Sequence, residues 1–84
     1  MKVRALIAIL EKMDPERVVI LQKDAEGNGY SPLEGADDNC LYAADSTWSG
    51  EVGHERLTEK DRKQGYTDED IGHGEKAVVL FPVN

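Results

Sequence analysis

The sequence predicts one α+β domain over residues 1–84, with one N-terminal amphipathic helix packed on a small, mostly antiparallel β-sheet and long polar loops in the middle. Three observations predict it. Val3, Leu6, Ile7, Leu10 and Met13 recur at spacings of three and four, the signature of one helical face. Two short runs, at 18–21 and 77–81, are apolar on both faces and rich in β-branched residues, as buried strands are. The chain has 84 residues, 39% hydrophobic and 32% charged, which is material for one thin core and not for two.

Taken in order, the opening helix turns Arg4, Glu11 and Lys12 outward, and Asp14-Pro15 stops it, because proline disfavours helical geometry in the residue before it. The strands at 18–22 and 77–81 are expected side by side at the centre of the sheet, each with one face on the helix. The other face then needs a cover, supplied either by the middle segment or by a second copy of the chain, and the second alternative would make a homodimer. Turn formers crowd 24–29, and 33–36 and 40–43 are expected to form a hairpin across Asp37-Asp38-Asn39. Thr58 with Asp61 reads as a capping box opening a short polar helix over 59–64 that Gly65 ends. Thr67 with Asp70 repeats the pattern before Gly72.

The net charge of −7 is unevenly spread. Residues 1–23 carry a net +2, residues 24–53 hold seven acids and no Lys or Arg, and residues 54–84 carry a net −2. An anionic surface repels phosphate backbones, so direct nucleic-acid binding is disfavoured and a basic protein partner is favoured, beside the plain reading that the acids serve solubility. Lys2 and Arg4 precede an apolar stretch that is too short for a signal peptide and lacks a cleavage site, and no run approaches the roughly 18 apolar residues of a membrane span. A single cysteine, Cys40, agrees with a reducing compartment, so a cytoplasmic location is expected.

Chemical constellations are incomplete. Asp24, Glu26, Asn28 and Gly29 imitate the start of a calcium loop, but the twelfth position, which needs a bidentate carboxylate, is Gly35. His54-Glu55 opens like a zinc-protease motif, yet Thr58 stands where the second histidine belongs. Cys40 follows two aspartates, which raise a thiol's pKa and blunt it as a nucleophile. No catalytic residue, cofactor or metal ligand is assigned, and the chain is not expected to be an enzyme. The aromatics offer a better lead. Tyr30, Tyr42 and Trp48 lie in the acidic segment, and such side chains supply contact area with few rotatable bonds. Tyr42 reads rather as a lid on the core, whereas Trp48 fits a lid or a contact equally. The expected partner-binding set is Tyr30, Asp37, Asp38, Asp45, Trp48 and Glu51.

The Met13-Asp14-Pro15 stop, the run Gly27-Asn28-Gly29-Tyr30-Ser31-Pro32-Leu33, the run Ser46-Thr47-Trp48-Ser49-Gly50 and the ending at 77–84 together resemble small uncharacterised proteins encoded in tailed-phage and prophage genomes. The resemblance spans nearly the whole chain and brings no activity or site residues with it. What it implies is context: an accessory protein inside a bacterial cell, expected to bind a basic host protein, such as a component of a defence system, through its acidic surface. A small-ligand or cation-binding homo-oligomer is the alternative.

Overall fold

The computed structural model describes residues 1–23 and 29–83. In chain order the elements are α1 (Val3–Leu10), β1 (Val18–Leu21), β2 (Leu33–Ala44), β3 (Gly50–His54), α2 (Glu59–Lys63), a single 3₁₀ turn (Asp68–Asp70) and β4 (Glu75–Pro82). The four strands form one sheet in the order β1-β4-β2-β3. β1 and β4 are parallel, and the other two pairings are antiparallel. This is the α+β arrangement of an N-terminal helix with a mostly antiparallel sheet that the sequence predicts.

The two apolar runs do lie side by side, with Val18 opposite Ala77 and Leu21 opposite Leu80. Only β4 is central, however, and β1 forms an edge. The second central strand is β2, from the segment expected to be looped. No hairpin turns at Asp37-Asp38-Asn39; one twelve-residue strand runs straight through them. Their poor strand propensity is absorbed by a bulge, with Asp37 opposite Val79 and Cys40 opposite Ala77, so that the extra residue is left out of the ladder. There the Asp37 carboxylate accepts the Asn39 N–H at 2.9 Å. The true hairpin joins β2 to β3 through residues 45–49.

Among the described residues only Cys40, Ala77 and Val78 are fully buried hydrophobics. All three come from the central strands, so the core lies along the β2–β4 seam. The helix contributes less than expected. It rests on β2, it has no fully buried residue, and Val3 and Ile7 on its apolar face stay 76% and 50% exposed.

A polar strap closes the seam. The Arg17 guanidinium, its side chain only 10% exposed, reaches the carbonyls of Cys40 at 3.5 Å and Ala77 at 3.3 Å and pairs with the Glu55 carboxylate at 2.6 Å. One side chain leading into β1 thus binds β2, β4 and the segment after β3. Both predicted capping boxes are formed, at Thr58–Asp61 on α2 and at Thr67–Asp70 on the 3₁₀ turn. Beyond them the chain bridges β3 through His54 and Ile71 and then crosses to β4. Glycines permit the crossing: a Cβ on Gly53 would lie 2.5 Å from the Cα of Gly72, and Gly74, at φ +108°, passes against the Tyr42 carbonyl where any side chain would collide.

Candidate functional site

Among the described residues a groove of about 470 Å³ opens on the sheet, and its lining includes Ile20, Val79, Tyr42, Val52, Trp48 and Lys23. The first four come from the four different strands. Ile20 is opposite Val79 and Tyr42 is opposite Val52, so strand alternation delivers each pair to one face. No residue of α1 takes part.

The hairpin tip builds one wall. Asp45 N–H donates to the Ser49 carbonyl at 2.9 Å, and the Ser46 hydroxyl accepts the N–H groups of Trp48 and Ser49 at 3.2 and 3.1 Å. A serine bonding to nearby backbone in this way holds a tight turn without a strand partner. Gly50 leaves the room that the Tyr42 ring occupies, since a Cβ there would lie 2.5 Å from the ring. The tip then reaches across the sheet. β3 pairs with the part of β2 that meets the start of β4, whereas Lys23 follows the strand that pairs further along β4. Nevertheless the Lys23 ammonium donates to the Trp48 carbonyl and sits 5.3 Å from the centre of its ring. This cation–π contact, about 0.5–1 kcal/mol at an exposed site, ties the wall to β1. Trp48 remains 73% exposed, an indole presented and not stowed.

The expected contact residues divide into separate places. Trp48 walls the groove, and Asp45 stands in the same turn. Glu51, opposite Ala43, instead lines a second depression of about 200 Å³ with Glu69, Asp70 and His73. Asp37 and Asp38 lie at the bulge, about 25 Å of strand path from Asp45. Tyr30 is fully exposed in the connection before β2 and does not line the groove. Tyr42 is half-buried and lines the groove in place of capping the core. Ile20, Val52 and Val79 have no local signature of a site, because only strand register brings them together. The clearest signal in the sequence is Lys23, the last Lys or Arg before Arg56.

Other chemistry is weakly provided for. Burial, followed by the neighbouring Asp37 carboxylate, pushes the Cys40 thiol up to about 11, so it is a poor nucleophile at neutral pH. The hydrogen bond from Arg17 holds the Glu55 carboxyl below the usual range, and its bonds to Thr58 hold Asp61 down likewise. These two carboxylates are committed to structural partners. Among the described residues no group of three or more His, Cys, Asp and Glu side chains is placed to hold a metal ion. The calcium-like loop at 24–28 lies outside the described residues, and its twelfth position, Gly35, sits in β2 opposite Phe81. No helix among the described residues is long and apolar enough to cross a membrane.

No known protein family, curated protein or solved structure matches this chain.

Proposed function

We propose that the chain is a non-enzymatic binding protein that seats an apolar side chain of a protein partner in the groove beneath Trp48. The observation that carries this reading is an open, largely apolar groove walled by a tryptophan that the fold leaves 73% exposed. Exposed apolar concavities with aromatic walls are where partner side chains gain most by desolvation. The net charge of −7 selects the partner's surroundings, because it steers basic surfaces toward the protein and repels acidic ones. The partner therefore carries an aromatic or aliphatic anchor with Lys or Arg around it. The resemblance to phage-encoded proteins supports a bacterial host protein in that role, including one from a defence system, and a site of action in the host cytoplasm.

Selection of random peptides on the immobilised protein tests the reading. Enriched peptides are expected to combine one large apolar residue with flanking Lys or Arg, and to lose binding to Val52→Lys and Trp48→Ala. Neutralising Asp45, in the turn that walls the groove, should slow association more than neutralising Asp37 and Asp38, which act only through the net charge. Peptides that bind those groove variants as well as the wild type would place the surface elsewhere.

The groove's volume also favours a second reading, since about 300–1,000 Å³ is the range of small-molecule sites. A small apolar ligand seated there would change Trp48 fluorescence and raise the melting temperature without any peptide.

A further inference from the structure

We propose that the free edge of β1 pairs, antiparallel, with β1 of a second copy about a two-fold axis passing between the two Ile20 residues. Among the described residues no strand pairs with the outer edge of β1. On its inner side, the Gln22 N–H donates to the Leu80 carbonyl at 3.0 Å. Strand alternation therefore turns the backbone groups of Val18, Ile20 and Gln22 toward β4 and those of Val19 and Leu21 outward. The outward pair are also the exposed apolar side chains of the strand, at 62% and 69%.

Symmetry selects the register. A two-fold axis perpendicular to the sheet must place like beside like at its centre, and centring on Ile20 sets Val19 opposite the partner's Leu21 and Leu21 opposite the partner's Val19. Both outward-facing residues then exchange backbone hydrogen bonds, and the two exposed side chains cover each other. Shifting the centre to Val19 or Leu21 leaves one of these residues without its apolar counterpart.

Charge selects the occupant and the edge. Val18 to Gln22 carry no charge, and the flanking cations are turned aside, Arg17 onto Glu55 and Lys23 onto Trp48. The opposite edge, β3, holds Glu51 near Glu69 and Asp70 and is already bridged at His54 by Ile71, so two copies meeting there would appose carboxylates. Natural edges are usually blunted by Lys, Pro or a bulge, and β1 has none of these. A pairing of about five residues buries less than the roughly 1,200–2,000 Å² of a standard interface, so the dimer is a weak one that forms at high protein concentration. It brings the two Ile20 side chains together, so the two grooves adjoin.

Sedimentation equilibrium from about 10 μM to 1 mM tests the pairing, with a rise toward twice the chain mass expected. Val19→Pro removes an N–H that the monomer's ladder does not use, and Val19→Lys with Leu21→Lys charges the edge; each should weaken the dimer at least about tenfold while circular dichroism stays that of the wild type. In the unmutated protein, the amides of Val19 and Leu21 should exchange more slowly as concentration rises, whereas that of Ile20 should not change. A monomer throughout the range, a dimer indifferent to either variant, or amide protection unchanged at 19 and 21 would each overturn the proposal.

Discussion

The strap around Arg17 and the groove beneath Trp48 distribute their side chains in opposite ways. At the strap a guanidinium is nearly withdrawn from water and bonded to two carbonyls and a carboxylate, whereas at the groove an indole stands 73% exposed above an apolar floor. A buried cation is tolerated only when its hydrogen bonds are met, and an exposed tryptophan contributes little to a fold. The difference teaches that stability resides along the β2–β4 seam and its strap. The hairpin is consequently free to present a surface that the fold does not need.

The sharpest way to break that division is Arg17→Met, which keeps much of the side chain's bulk but removes the hydrogen bonds to both carbonyls and leaves Glu55 only its longer pairing with Lys76 at 3.7 Å. It is expected to cost about 2–3 kcal/mol in urea unfolding, a large share of what a domain this size holds. Leu6→Ala should come next. A buried leucine truncated in this way costs roughly 2–5 kcal/mol, but Leu6 is half-buried on a helix that touches little besides β2, so about 1–2 kcal/mol is expected. A larger loss for Leu6→Ala than for Arg17→Met would move the fold's anchor to the helix.

Acid sharpens the same comparison. The folded-state pKa of Glu55 is depressed, so its contribution is present above the unfolded carboxylate value of about 4.3 and is lost as pH falls through the lower folded value. Urea midpoints should therefore drop between about pH 5 and pH 3, and Glu55→Gln should make that drop shallower. The smallest effect belongs to the groove: Trp48→Ala should cost no more than about 1 kcal/mol, the size of the lost cation–π contact with Lys23, measured by circular dichroism because the variant lacks its fluorophore. A greater loss would mean that the indole serves the core after all.

Much of the frame is legible in the sequence because it rests on local rules. α1 follows from apolar spacing, β1 and β4 from β-branched runs, and the turns at Thr58 and Thr67 from reciprocal caps whose partners lie three residues away. β2 resists such reading, because Gly35, Asp37, Asp38 and Asn39 are poor strand formers that extend only when β4 is there to pair with them. The position of β1 at an edge is equally invisible, since a strand's pattern reports its faces and not its neighbours. The groove is harder still. Trp48 stands out by type, but Ile20, Val52 and Val79 become a surface only through a register set by distant pairings.

The place of β4 in the sheet bears on how the protein is made. Val18 must find Ala77, and β4 lies between β1 and β2, so neither can be joined to the other until the stretch through residue 82 has left the ribosome. While it is being synthesised, the chain therefore holds its β-branched first strand without a mate, and pairing it requires closure of a loop of nearly sixty residues. The decisive pairing therefore waits on β4, and until it arrives the apolar Val18–Leu21 segment stays open to whatever binds an unpaired strand.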